Sequence, residues 1–441
     1  MMKFFGREQE IKELQQIRKQ SHETAKFTVI TGRRRVGKTS LVKKALNDGK
    51  DPFVYLLITR QNERTLCHSL RADLAAADVE VPAETVRFVD LFKAIAKAAE
   101  THPLTVVIDE FQDLDRINTK IFGELKAVWE EGLGKSKLNL VVCGSVNRLM
   151  KKVFFAPNAK LGKRALVHLN VKPFSTDLLK KIFASYKRKY KPVDLWTLWT
   201  LTGGVARYVQ YFMDARAFER KAMVEAFLAP DSPFLDEGRG ILSEEFGTEY
   251  ATFFSILSEV ASGRKTFGEL SNSVGSDVGT YLARLENDHG LIRRTVPYSD
   301  PEKSRNTRYV IDDCFIRFWF RFVFQYRSWI ALGRWDDLQS LVLKEVDSFA
   351  ALSLEQYFQW KFAETPNTVC QGGWWDRKGL NEIELVVEDT KEKKFDLVEV
   401  KANARDLNAD VLRTKCEALF AKYPEKRSAL RKLTGLSLAD L

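Results

Sequence analysis

Thr31–Ser40 reads TGRRRVGKTS, and the fold of the N-terminal half turns on this stretch. Its frame, Gly32-x-x-x-x-Gly37-Lys38-Thr39, is that of a loop that grips phosphate. A short apolar run, Phe27–Ile30, leads into it, and Thr39–Leu46 continues as a helix. In that setting the backbone N–H groups of Gly32, Arg33, Arg34, Arg35, Val36, Gly37, Lys38, Thr39 and Ser40 form a cradle for phosphate oxygens at a helix N-terminus. Gly32 and Gly37 allow backbone angles and close approaches that a side chain blocks. Lys38 supplies a cation to the terminal phosphates of ATP, and the Thr39 hydroxyl is a ligand for Mg²⁺.

Four more apolar runs read as strands: Phe53–Ile58, Thr105–Ile108, Leu138–Val142 and Ala165–Asn170. Continuous apolar strands alternating with helical segments predict an α/β fold whose parallel sheet is covered on both faces. The run Thr105–Ile108 ends in Asp109-Glu110. Asp109 is placed to hold the same Mg²⁺ through water, and Glu110 to polarise the attacking water as a general base. Ser145 ends the next strand, where it either touches the terminal phosphate or simply caps the strand. Arg164 is a candidate arginine finger from the same or a neighbouring subunit, with an exposed ion pair as the rival reading. A finger neutralises transition-state charge and therefore affects hydrolysis more than binding.

A chain of 441 residues exceeds one compact core, so about two to four domains are expected. With 45% hydrophobic and 12% aromatic residues it is no disordered chain. No apolar run reaches the roughly 18 residues of a membrane span, and MMKFFGREQE lacks the apolar centre of a secretion signal. Five scattered cysteines without CxxC spacing fit reduced thiols. A cytoplasmic protein without membrane partners is the expectation. The net charge of +11 matches the local sum of Lys151–Lys191, where 12 Lys and Arg face one acid, Asp177. Such a run serves a polyanion or is a solvated surface helix.

FFGREQEIKEL, TGRRRVGKTSL, TVVIDEFQDL, VVCGSVNRLM, LGKRALVHLNVKPFS and LTGGVARYV follow one another between Phe4 and Tyr208. In order and strand-end placement they resemble the archaeal-type ATPase family, a branch of P-loop ATPases related to the AAA+ and STAND groups. The resemblance implies a P-loop NTPase sheet with the phosphate-loop strand central, then a helical lid. It also sets Phe5-Gly6-Arg7-Glu8 near the adenine, so that Arg7 contacts nucleotide or forms a structural ion pair. The RRR run resembles the usual loop of this family. Arg33, Arg34 or Arg35 is expected to pair with acidic residues of the lid or the C-terminal attachments.

Beyond a helical stretch from Val171 to Gly240, Tyr250–Val260, Thr266–Val274 and Ser276–Asp288 read as three helices. Leu291–Pro297 and Thr307–Ile311 then pair across a polar loop. That is the order of a winged helix-turn-helix. Ser276, Thr280, Arg284 and Asn287 lie opposite the apolar face of the third helix, and Arg293, Arg294, Lys303, Arg305 and Arg308 give the wing its charge. DNA is the expected partner, protein docking the alternative. In Cys314–Trp335 the aromatics Phe315, Phe318, Trp319, Phe322, Tyr326 and Trp329 form a helical stripe, which reads as core rather than as a base-stacking surface.

The tail offers a second chemistry. Leu354–Glu364 reads as a helix, followed by strands in WWDRKGLNEIELVV and FDLVEVKAN. Glu399 and Lys401 share one strand face, Glu382 and Glu384 another. Folding the hairpin brings Glu384, Glu399 and Lys401 together, where two carboxylates bind Mg²⁺ and the lysine orients a water. Glu355, Asn381–Glu384 and Glu399-Val-Lys401 resemble a PD-(D/E)XK nuclease core, and the preceding Asp312–Phe322 segment resembles the connector that carries such tails in this ATPase family. Glu384 stands where Asp is usual, which puts tight Mg²⁺ geometry in doubt. The expected organisation is a P-loop ATPase domain at 1–170, a lid at 171–240, a winged helix with aromatic connector at 241–335 and an α/β restriction-endonuclease-like domain at 336–441. The function expected is an ATPase that couples nucleotide state to DNA binding, with a nuclease tail that cleaves or has lost cleavage. The alternative is a STAND-like regulatory switch whose attachments bind protein or DNA. Oligomerisation is compatible with both.

Overall fold

The computed structural model describes residues 2–47, 53–131, 133, 136–145, 150–162, 164–165, 167–246, 250–263, 265–275 and 278–441. Its described part divides into two compact units, Phe5–Lys172 and Pro173–Leu441, the latter taking in the N-terminal residues up to Phe4. The basic run Lys151–Lys191 is thereby split between them instead of forming one helix.

In the first unit five strands form one sheet: β1 (Lys26–Gly32), β2 (Phe53–Leu57), β3 (Leu104–Asp109), β4 (Leu138–Ser145) and β5 (Val167–Asn170), in the order β2-β3-β4-β1-β5. Every pairing is parallel. β3 and β4 are buried almost throughout, which is why their sequences lack the alternation of a half-exposed strand. One face packs on Phe88–Thr101 and Ile121–Glu131, the other on Glu8–Gln20 and Lys38–Leu46. The phosphate-loop strand β1 is interior, between β4 and β5, but lies next to the edge and not in the middle.

The second unit opens with five helices, Thr176–Tyr186, Pro192–Thr202, Ala206–Asp214, Arg220–Phe227 and Phe234–Phe246. Gly203 and Gly204, both at positive φ, make the break that LTGG foretold. Tyr250–Ala261, Phe267–Val274 and Val278–Arg284 follow, the last continuing through Leu285–His289 to Gly290. Ser276 falls outside the described residues. Arg284 is not simply outward: its guanidinium lies 4.9 Å from the Phe253 ring centre. The strands β6 (Ile292–Thr295) and β7 (Arg308–Ile311) pair antiparallel as a hairpin.

The aromatic segment packs as core. Phe315, Phe318, Trp319, Phe320 and Phe322 are buried, while Tyr326 and Trp329 at its end are half-exposed. The helix expected at Leu354–Glu364 is only the end of a longer one, Trp335–Ala363, whose buried Leu338, Val342, Val346, Ala350, Leu354 and Tyr357 line one side. It packs on a sheet of β8 (Thr368–Cys370), β11 (Leu385–Asp389), β12 (Lys394–Val400) and β13 (Leu430–Leu436), in the order β13-β12-β11-β8. β9 (Trp374–Trp375) and β10 (Glu382–Ile383) form a separate short pair. The helix Ala409–Lys422 contributes Leu412, Cys416, Leu419 and Phe420 to the tail's apolar core.

Candidate functional site

β1 delivers the loop and the helix after it carries Lys38 and Thr39 inward. The two glycines serve different needs. Gly37 has φ 100° and caps the helix in a left-handed conformation. Gly32 has no such angle; a Cβ there would lie 2.5 Å from the Val171 carbonyl oxygen. Arg35, a non-glycine, takes φ 67° and is exposed, whereas Arg33 and Arg34 are half-buried. Ser40 is exposed on the helix's first turn and Val36 is buried beneath the loop.

Lys38 is only 8% exposed. Its Nζ donates to the carbonyls of Gly32 at 2.9 Å and Arg33 at 3.3 Å. Among the described residues it pairs with no carboxylate. Burial lowers its pKa, opposed by the nearby charges of Glu110 and Asp109. A buried ammonium held by carbonyls beside a ring of N–H groups fits an anionic phosphate.

Parallel pairing brings the ends of β1, β3 and β4 to one edge of the sheet. The Thr39 hydroxyl donates to Asp109 Oδ2 at 3.0 Å, and the Tyr55 hydroxyl donates to the same oxygen. Burial and that bond push Tyr55 up, so it stays a donor. Hydroxyl and carboxylate meeting at one point fit a hydrated Mg²⁺ beside the phosphates. Glu110 sits at φ 54°, its N–H donating to Asp109 Oδ1 at 2.9 Å, and its side chain accepts from Gln112 Nε2. Ser145 is in register with Gly32 across β4 and β1, so it ends its strand beside the loop.

Two arginines are engaged elsewhere in this unit. Arg7 pairs with Glu10 at 3.1 Å and donates to the Lys172 carbonyl, and Arg164 pairs with Glu130 on the helix Ile121–Glu131. Tyr55 and Gln112 escaped sequence reasoning. Tyr55 was legible only as a strand residue, and Gln112 as a polar residue two positions after the acid it holds.

The tail brings its predicted residues together. Leu385 pairs with Val398, so Glu384 and Glu399 come next in line across β11 and β12. Lys401 Nζ lies 2.6 Å from Glu384 Oε1 and 3.6 Å from Glu399 Oε1. Lys415, from the helix Ala409–Lys422, adds a second cation 2.7 Å from Glu399 and had no sequence signal. Glu384 Oε2 is buried without a hydrogen-bond partner. Burial, with Glu384 and Glu382 nearby, pushes Glu355 up to about 7. Among the described residues no group of three or more His, Cys, Asp or Glu is arranged to hold a metal ion.

The hairpin is less free than its charge implied. Arg293 pairs with Asp312 at 3.0 Å, and Arg308 pairs with Glu382 at 2.5 Å. Arg294 donates to the Ser304 carbonyl, while Lys303 and Arg305 are exposed.

Residues 4–212 match the model of a family described as an ATPase domain predominantly from Archaea. Residues 319–412 match a family of archaeal and bacterial proteins of unknown function. An uncharacterised protein of Methanocaldococcus jannaschii is 28% identical over 420 residues, covering 90% of this chain and 87% of that protein. Among solved structures, a Walker-type ATPase of Pyrococcus abyssi superposes with a TM-score of 0.52 at 17% identity, over 72% of this chain and 96% of the other. The ORC2 protein of Aeropyrum pernix, solved with ADPNP and ADP, gives a TM-score of 0.45 at 14% identity, over 78% of this chain and 96% of that one. By the match at residues 4–212 the chain carries an ATPase domain and is an ATPase. Among the described residues no helix is long and apolar enough to cross a membrane.

Proposed function

We propose that this ATPase couples ATP hydrolysis to engagement of nucleic acid through the elements that follow its P-loop domain. The observation that carries the hydrolytic part is the meeting of Thr39 and Asp109 at 3.0 Å beside buried Lys38. Thr39 and, through water, Asp109 would hold Mg²⁺, which supplies charge neutralisation on the phosphates when bound. Backbone groups of Gly32–Ser40 grip phosphate oxygens, and Lys38 neutralises charge on the outermost ones. Glu110, held by Gln112, takes the proton of the attacking water, and Ser145 orients that water. Arg164 acts after leaving Glu130, from this chain or a neighbouring copy, and Arg7 braces the nucleotide side of the loop. Arg33, Arg34 and Arg35 relay nucleotide state rather than grip ATP.

The helices from Tyr250 to His289 with the β6–β7 hairpin support the reading of a winged helix-turn-helix, and 336–441 that of a PD-(D/E)XK-like domain. Under this reading the organisation is ATPase domain 1–170, lid 171–240, winged helix 241–335 and tail 336–441. Glu384 and Glu399 are the candidate metal ligands, and Lys401 the group that activates water. The test is Mg²⁺-dependent ATP turnover by the full chain with and without DNA. Stimulation by DNA that disappears in Lys38→Ala supports the coupling; turnover indifferent to any nucleic acid would sink it.

One observation favours a second reading for the tail. Lys401 and Lys415 already neutralise Glu384 and Glu399, which weakens their hold on a metal. A tail that binds nucleic acid without cutting, as in a regulatory switch, predicts intact DNA and RNA after incubation with Mg²⁺ or Mn²⁺.

A further inference from the structure

A cavity of about 430 Å³ lies within the second unit, walled by the β6–β7 hairpin, the helix Trp335–Ala363 and the edge of the tail that bears Glu382 and Glu384. The hairpin wall is built in. Tyr298, 7% exposed, belongs to the same apolar cluster as Trp374, Ile383 and Phe395, and its N–H donates to the Gly373 carbonyl at 2.9 Å. Arg308 is held to Glu382 and stacks 4.3 Å from the Trp375 ring centre. Arg308, Trp375, Glu382 and Glu384 line the same cavity.

Two buried polar atoms of residues that line the cavity, Arg317 Nε and Glu384 Oε2, lack hydrogen-bond partners. Arg317 is 5% exposed, and among the described residues it pairs with no carboxylate. Its Nη1 donates to the Ile311 carbonyl, its Nη2 lies 3.5 Å from Gln356 Oε1 and 3.7 Å from Cys314 Sγ, and its Nε has no hydrogen-bond partner. Glu384 Oε2, an acceptor, is also without a hydrogen-bond partner and lines the cavity, where it suits a donor such as a base amino group or sugar hydroxyl and leaves the phosphate to Arg317. A buried guanidinium without a counter-ion is stabilised by an incoming anion, phosphate above all. Cavities of about 300–1,000 Å³ take one small ligand. A B-form duplex, whose major groove alone is about 12 Å wide, does not fit.

We propose that this cavity binds a single nucleotide of an unpaired strand, with phosphate on Arg317, and that the docked hairpin excludes duplex. The inference rests on the tail's being the nucleic-acid-binding part. It specifies the substrate class: single-stranded DNA or RNA, or a strand end.

The test is fluorescence anisotropy of the full chain with a short labelled single strand and with the same sequence as a blunt duplex. Single strand is expected to bind about tenfold tighter or more. Arg317→Gln is expected to lose that preference. Because Arg317 also holds Ile311, a second variant, Ala351→Trp, fills the cavity from an exposed position on its helical wall and is expected to weaken single-strand binding without lowering Tm. Duplex bound as tightly as single strand overturns the inference and leaves the tail reading standing. Single-strand affinity unchanged in Ala351→Trp removes the cavity from the account. Binding of neither form overturns the inference and the tail reading together.

Discussion

Thr39 and Asp109, 70 positions apart, meet through a hydrogen bond of 3.0 Å at one edge of the parallel sheet. Tyr55, from the edge strand β2, closes on the same carboxylate. One carboxylate therefore gathers the phosphate loop, the acidic strand end and the sheet edge.

Removing the cation and removing the base should separate binding from chemistry. Lys38→Ala is expected to lose ATP binding and turnover together. Glu110→Gln should retain ATP binding while turnover falls by roughly 10²–10⁴. Equilibrium binding alongside single-turnover hydrolysis checks both; equal loss of affinity in the two variants would contradict the base role.

Gly144 provides an indirect probe of that base. A Cβ at Gly144 would stand 2.3 Å from Gln112 Oε1 and 2.9 Å from Met150 Sδ, so Gly144→Ala must displace the residue that holds Glu110. Turnover is expected to drop about tenfold or more with ATP affinity nearly unchanged. A steady-state comparison of kcat and KM reads this, and an unchanged kcat would show that Gln112 does not position Glu110.

Lys401 bridges two nearly buried carboxylates, Glu384 and Glu399. Lys401→Met leaves Glu384 facing Glu399 with only Lys415 to offset the charge and should destabilise the second unit by about 1–3 kcal/mol. Adding Glu384→Gln removes one of the opposed charges and should recover a large part of that loss. Urea denaturation of single and double variants measures it; additive losses would deny the coupling.

Acid should loosen the hairpin loop from the tail. Burial raises the Asp300 pKa, but hydrogen bonds from Lys422, Tyr423 and Ser304 outweigh it and hold the carboxyl below its usual 3.8. Its folded pKa being depressed, its stabilisation is present above pH 3.8 and is lost as pH falls through the lower folded value. Asp300→Asn is expected to cost about 1–2 kcal/mol near neutrality and to flatten this acid limb. Denaturation across the acid range tests the slope; parallel curves for variant and wild type would refute it.

Much of the candidate nucleotide site could be placed from sequence because its parts are local. A glycine loop between a strand and a helix, and acids at the end of an apolar strand, are set by neighbours in sequence. Parallel pairing then brings such strand ends to one edge. The tail's Glu384, Glu399 and Lys401 were legible for a similar reason, since strand periodicity chooses the face and antiparallel pairing sets Glu384 against Glu399.

The amino-acid order by itself determined the phosphate loop, the α/β alternation and which side chains share a face. Only tertiary structure decided who their partners are: Tyr55 on Asp109, Gln112 on Glu110, Lys415 on Glu399, Arg164 on Glu130. It also moved Tyr298 from a polar loop into the tail's core and bound Arg308, read as a DNA contact, to Glu382. Period and composition act over a few residues, whereas these pairings depend on which faces pack to remove apolar surface from water. That choice is made by the whole fold.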